Sequence, residues 1–266
     1  MKPLETQLDD RSVLGKVQRV LECFEAQTST LQLNELMRRT GLAKGTVHRV
    51  ATDLVCWGLL ERVAGGYRLG LRLFELGQLV PRQRILRETA LPFMEDLYAA
   101  TREIVHLGIV DGVDVLYIEK LIGHRTAQSP SRMGGRMPLY CTAIGKALLA
   151  FSPPELVDRV IERGLVPLTP HTAAVPSLLR SQLEEAHGRG FAQEREESAF
   201  GLGCVAAPVF GPGGHLVAGI SVSAPTTRFQ TERLAPAVTS TAASLSRALG
   251  SPAPRASSLD REAWAG

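Results

Sequence analysis

Lys44, Thr46, His48 and Arg49 lie within six positions of one another and form a donor set that could read nucleic acid. A guanidinium such as that of Arg49 can give two parallel hydrogen bonds to guanine O6 and N7, while a hydroxyl or imidazole reaches a neighbouring base or phosphate. Arg62 and Arg68 follow as cations suited to the phosphate backbone. A second chemistry is offered by Ala143-Ile144-Gly145-Lys146. Unpaired backbone N–H groups at a helix start attract a carboxylate or phosphate, and a glycine lets the backbone come close. Lys146 could add a cation there or serve only the helix. Cys204 is a third candidate. With Glu194, or with one of His106, His124, His171, His187 and His215, it could form a thiol nucleophile and base, or contribute to a zinc site. No ordered nucleophile and base motif and no close ligand spacing supports either reading. Cys204 also sits in an apolar run, the usual setting of an inert core thiol. The residues therefore require no catalytic group, metal or cofactor.

For residues 44–49 to meet DNA they must occupy the outer face of a supported helix. In residues 12–26, Val13, Leu14, Val17, Val20, Leu21 and Phe24 recur at helical spacing and predict a first amphipathic helix. Leu33, Leu36 and Met37 predict a second, from an N-cap near Asn34 to Gly41 at its C′ position. A third, over residues 43–57, would bury Val47, Val50, Ala51 and Leu54 and turn Lys44, Thr46, His48 and Arg49 outward. Strand-like runs at 59–63 and 67–69, joined by Ala64-Gly65-Gly66, predict a hairpin. This order is that of a winged helix-turn-helix over residues 11–72. Its third helix would enter the major groove while the hairpin cations fix register on the backbone of double-stranded DNA.

The charge distribution agrees. Of 266 residues, those from 11 to 72 carry ten Lys and Arg against five Asp and Glu, whereas residues 73–266 carry nineteen of each. All the basic excess lies in the segment that would release counterions from a polyanion. A composition of 44% hydrophobic and 21% charged residues is that of a folded globular chain. Four widely separated cysteines match neither a zinc knuckle nor a disulfide framework. No apolar run is long enough to span a membrane, and MKPLETQLDDRS lacks the apolar core of a signal peptide. A reducing, cytoplasmic setting is expected.

Residues 71–79 continue a helical pattern that Pro81 interrupts. A further helix is expected over 85–101, with Leu86, Ala90, Phe93, Met94 and Leu97 on one face and Pro92 arguing against an unbroken course. Residues 73–101 read either as linker and dimer-contact helices, which a pair of DNA-binding modules on adjacent half-sites would need, or as ordinary core packing. Beyond residue 102 the period becomes two. Strands at 103–110 and 113–120 flank Asp111-Gly112, and strands at 204–210 and 215–223 flank Gly211-Pro212-Gly213-Gly214. Helices are expected at 144–150, 154–163, 177–189 and 231–249. An antiparallel sheet with segregated helices makes the fold class α+β. Residues 251–266, rich in Ser, Ala and Pro, read as a disordered tail.

The run TGLAKGTVHRV from Thr40, followed by WGLLER from Trp57 and YRLG from Tyr67, resembles the DNA-binding domain of the IclR family of bacterial transcription regulators. PLYCTAIGKALLA from Pro138, RGFA from Arg189, Glu197, and GLGCVAAPV from Gly201 look like the effector-domain signatures of that family, in the same order. The resemblance runs from about residue 11 to 250. It implies a GAF-like effector domain over residues 102–250 and regulation, most simply repression, by a small organic acid. Ala143, Ile144, Gly145, Glu194 and Cys204 are the effector-binding positions it implies. A homodimer or homotetramer on operator DNA is implied as well. Two positions depart from the family pattern: Gly45 stands where many members have serine, and Glu194 where the pocket usually has aspartate. A carboxylate beside an anion site repels a bare acid, so the acid should carry a donor group. Leu121, Ile122, Met133, Met137 and Leu139 are candidate apolar walls.

Overall fold

Helix α1, Val13–Leu21, begins where the Ser12 hydroxyl accepts a hydrogen bond from the Gly15 N–H at 2.9 Å, an N-cap. It ends sooner than the apolar spacing predicts, because Cys23 and Phe24 reach the same core from the chain beyond the helix. The structure is a computed structural model that describes residues 12–25, 30–123 and 129–252, with the side chains of residues 82 and 83 also left aside. His124 and residues 253–266 lie outside the described residues. Two units part between Arg84 and Ile85.

In the N-terminal unit, α2 (Leu33–Thr40) is followed after a short turn by α3 (Lys44–Cys56). The N-cap of α2 is Gln32 rather than Asn34, since Leu33 already has helical geometry and Asn34 falls inside the first turn. Gly41 takes the left-handed conformation, φ 66°, that ends the helix, a role a Cβ would strain. Val47, Val50, Ala51 and Leu54 are buried against Val20 and Leu36, as the periodicity requires. Strands β1 (Leu60–Val63) and β2 (Gly66–Leu69) pair antiparallel, Glu61 opposite Arg68 and Arg62 opposite Tyr67. Leu31 exchanges two hydrogen bonds with Tyr67, each 2.9 Å, so the chain entering α2 joins the hairpin. Helix α4, Leu71–Gln78, buries none of its residues.

Helix α5 (Pro81–Thr101) starts at Pro81, which fits the first helical turn because its missing N–H would be unpaired there anyway. It continues through Pro92 without a break, held on the sheet by Leu86, Ala90, Met94 and Leu97. Six strands form the antiparallel sheet of the C-terminal unit: β3 (Ile104–Asp111), β4 (Asp114–Leu121), β5 (Arg136–Pro138), β6 (Ala192–Arg195), β7 (Leu202–Phe210) and β8 (Leu216–Pro225), in the order β5-β4-β3-β8-β7-β6. Helices α6 (Ala143–Ala150), α7 (Pro154–Arg163) and α8 (Pro176–Arg189) lie between β5 and β6 in the chain, and α9 (Thr231–Ala248) follows β8. Strand alternation divides the core. Val105, Leu107, Val205 and Ile220 face α5 and α9, while Val115, Tyr117, Cys204 and Ala206 face α6.

Candidate functional site

On α3, Lys44, His48 and Arg49 are exposed and Thr46 is half-buried, one surface opposite the buried stripe. Lys44, His48 and Arg49 have no side-chain hydrogen bond or ion pair among the described residues. On the hairpin, Arg62 lies over the Tyr67 ring, 5.8 Å from its centroid. Arg68, on the other strand, instead pairs with its cross-strand partner Glu61 at 2.6 Å. The two hairpin arginines therefore differ: one is a cation stacked on an aromatic face, the other is already matched by a carboxylate.

In the C-terminal unit, Ala143, Ile144, Glu194 and Cys204, which come from three separate stretches of the sequence, line one pocket. Ala143 and Ile144 open α6, and their backbone N–H groups make no hydrogen bond among the described residues. Gly145 is behind them. Its N–H donates to the Thr142 hydroxyl at 3.1 Å, and a Cβ there would sit 2.2 Å from the Leu139 carbonyl oxygen. Its lack of a side chain thus serves the packing of the helix start rather than an approach to ligand. Lys146 turns away too. It is buried and ion-paired with Glu197, whose other carboxylate oxygen accepts from the Ala173 N–H at 3.0 Å.

Glu194 is opposite Cys204 in the β6 and β7 register. Its carboxylate accepts from the Glu197 N–H at 2.8 Å and from the Ser198 hydroxyl at 3.2 Å. Burial nevertheless dominates and raises its pKa, since a charged carboxylate is disfavoured away from water. Burial and then the Glu194 charge push the Cys204 thiol well above its ordinary range, and its S–H donates to the Ser223 hydroxyl at 3.0 Å. The thiol is therefore kept protonated.

Tyr117, Ser131, Ser221 and Ser223, which no sequence motif marked as ligand-site residues, also line the pocket. His106, considered only as a partner of Cys204, joins them. Its Nε2 is 2.7 Å from the Ser131 hydroxyl and its Nδ1 3.4 Å from that of Ser221. Burial, followed by the charge of Lys120, holds His106 down to about 3. The signal available in the sequence was the placement of His106, Ser221 and Ser223 at alternate positions of otherwise apolar strands. Of the expected apolar walls, Met137 lines the pocket. Leu139 is core behind it, Leu121 packs on the opposite face, and Ile122 and Met133 are exposed. His187 binds the Ala150 carbonyl oxygen at 2.9 Å, and His171 lies 3.7 Å from Glu196, so neither serves Cys204.

Among the described residues no group of three or more His, Cys, Asp and Glu is disposed to hold a metal ion. No helix among them is long and apolar enough to cross a membrane.

Comparison with known proteins places both halves. Residues 13–64 match the IclR helix-turn-helix domain, and residues 78–247 match the C-terminal domain of the bacterial transcriptional regulator IclR. The chain is 34% identical over 241 residues to the HTH-type transcriptional regulator XynR of Escherichia coli (strain K12), covering 88% of this chain and 96% of the relative. It is 34% identical over 234 residues to KdgR of the same organism, covering 87% and 89%. A solved IclR homolog from Microbacterium hydrocarbonoxydans, complexed with 4-hydroxybenzoate, superposes with TM-score 0.84 at 30% identity over 90% of this chain and 99% of that one. The Thermotoga maritima IclR gives TM-score 0.74 at 30% identity over 89% and 98%. With a helix-turn-helix and wing ahead of an antiparallel effector sheet, the chain belongs to the IclR family of bacterial transcription regulators.

Proposed function

We propose that this protein is a sequence-specific DNA-binding regulator, without catalytic activity, whose operator affinity is set by a small organic acid bound in the C-terminal pocket. The observation that carries this reading is the meeting of the Ala143 and Ile144 N–H groups with Glu194 and Cys204 around one cavity. The N–H groups at the start of α6 offer partial positive charge to a ligand carboxylate. Glu194, favoured in its neutral form by burial, can face that acid without full repulsion and exchange a hydrogen bond with a ligand hydroxyl. The 4-hydroxybenzoate held by the Microbacterium relative supports an acid as effector. A protonated Cys204 supports a binding role over a nucleophilic one, since the thiolate is the reactive form.

Lys44, Thr46, His48 and Arg49 are the proposed base-reading and phosphate contacts, with Arg62 and Arg68 on the backbone. Operator binding by a homodimer or homotetramer is supported by the small contact area that one winged module offers. The exposed Phe74 and Leu76 of α4, within the linker proposed for residues 73–101, support it as well. Repression is supported by relatives such as the AllR repressors of Salmonella. Because the acid can move DNA affinity only by its differential affinity for two arrangements of the protein, its effect on DNA and the effect of DNA on it are equal in size.

The test is a footprint of the full-length protein on DNA upstream of its own gene, followed by calorimetry with a panel of organic acids. A protected pseudo-palindrome that an acid releases, with acid binding lost in Glu194→Ala and Cys204→Ala, is expected. An acid that binds yet leaves operator affinity unchanged overturns the switch.

A further inference from the structure

The first two helices hold each other by their ends. The Arg19 guanidinium of α1 donates to the carbonyl oxygen of Thr40, the last residue of α2. In return Arg39 of α2 donates at 3.0 Å to the carbonyl oxygen of Cys23, in the turn that closes α1. Both acceptors stand at helix C-termini, where unpaired carbonyls gather partial negative charge that a cation offsets. Two such ends side by side repel weakly; the crossed arginines join them instead. Neither guanidinium is loose. Arg39 is also held by Glu35 at 2.6 Å and lies 3.8 Å from Glu25. Arg19 is half-buried, its Nη2 3.5 Å from where a Cβ on Gly41 would stand.

We propose that Arg19 and Arg39 are positioning residues for DNA recognition: as a clasp between α1 and α2 they set the angle of the turn that leads into α3. The proposal rests on the reading of α3 as the base-reading helix. Only Gly41, Leu42 and Ala43 separate α2 from α3. Thr40 is buried, and its hydroxyl donates to the Leu36 carbonyl oxygen at 2.6 Å, so the turn is anchored to α2 and moves with it. Lys44, Thr46 and Arg49 follow in the first two turns of α3. A small rotation of α2 against α1 carries their donors off the base edges, because hydrogen bonds weaken steeply with misalignment. Attraction to phosphate survives the same rotation, since it is electrostatic and independent of sequence. The clasp therefore acts on discrimination between sequences rather than on affinity for DNA as such. Val20 and Leu36, packed with Val47 and Val50, keep the three helices together beneath it, so the unit is expected to fold without the clasp.

Fluorescence anisotropy of the full-length protein on two duplexes of equal length tests this, one carrying the site footprinted upstream of its own gene and one unrelated. Arg19→Gln is expected to weaken operator binding about tenfold and unrelated DNA by less than about twofold. Arg19→Lys, which keeps the charge and a donor for the Thr40 carbonyl, is expected to recover most of that loss. Arg39→Gln should act in the same direction, and the double variant should lose less than the two singles combined, as side chains securing one junction do. Unfolding curves report on folding separately; should Arg19→Gln fail to fold, Arg39→Gln decides on the same two duplexes. Equal weakening on both duplexes, with a salt slope lower by about one, makes the arginine a phosphate contact and overturns the proposal. A lowered melting temperature with an unchanged ratio of operator to unrelated affinity overturns it too, as a purely structural role. Fully additive losses overturn the clasp as a unit. Arg49→Ala without effect on operator affinity removes α3 as the reader and the proposal with it, whereas a loss in Arg49→Ala beside an unaffected Arg19→Gln overturns the clasp alone.

Discussion

The ammonium group of Lys146, in the first turn of α6, is buried against the carboxylate of Glu197, in the turn after β6. The pair ties the helix start that lines one side of the pocket to the backbone N–H that holds Glu194 on the other. Lys146→Met strands a buried carboxylate and should destabilise the protein by about 3–5 kcal/mol. Lys146→Met with Glu197→Gln should recover part of that loss, because the uncompensated charge is gone. Urea unfolding of the single and double variants checks this; equal stabilities for both would show that the stranded charge is not what costs.

Gly45 has open space around its Cβ position. Gly45→Ser should therefore fold normally and stabilise α3 by about 0.5 kcal/mol through helix propensity alone. The added hydroxyl projects from the proposed DNA-reading end of the helix, so operator preference should change while thermal stability does not fall. Thermal unfolding and binding to a library of operator variants separate the two effects.

Arg68 is ion-paired with Glu61 before any DNA arrives. Glu61→Gln should raise affinity for all DNA sequences alike and steepen the salt dependence by about one phosphate contact. Arg49→Ala, by contrast, should cost about 1–3 kcal/mol at the operator and little on unrelated DNA. Fluorescence anisotropy across a salt series distinguishes them; a sequence-selective effect of Glu61→Gln would contradict the backbone role of Arg68.

His106 gives the stability a pH dependence of known sign. In the unfolded chain it takes up a proton near its ordinary 6.5, whereas in the folded protein it does so only near 3. Between these values the unfolded state binds more protons, so the stabilisation is complete above about pH 6.5 and is lost as pH falls toward 3. His106→Asn, neutral throughout, should flatten the acid limb of a plot of melting temperature against pH. An unchanged limb would assign acid sensitivity to other groups.

Much of the fold is legible because long elements carry their own period. The stripe Val47, Val50, Ala51 and Leu54 and the turns at Gly41 and Gly112 mark themselves. The short edge strands do not: Arg136–Pro138 and Ala192–Arg195 are three and four residues long, too brief for alternation to stand out. Pro81 reads as a break in sequence, yet a proline ending one pattern equally begins another, and only the burial of Leu86 and Ala90 beyond it decides. Asn34 is a favoured cap by type, but Leu33 had to be inside the helix to reach the core, which moved the start to Gln32. At the pocket, Gly145 carries the expected backbone closeness but directs it at Leu139. His106 and Ser221 lie 115 positions apart and meet only through the register of β3 with β8, which composition and local spacing do not encode.

Each central strand of the effector sheet alternates between two duties. On β7, Cys204 looks toward the pocket while Val205 and Ala207 hold α9, and on β8 the same holds for Ser221 and Ser223 against Ile220 and Val222. Pocket chemistry and scaffold packing are thereby written in interleaved but separate positions. Descendants of such a chain can exchange the polar set for a new ligand while the aliphatic set, untouched, keeps the sheet in place. Evolvability of ligand response is in this sense a by-product of the pleat.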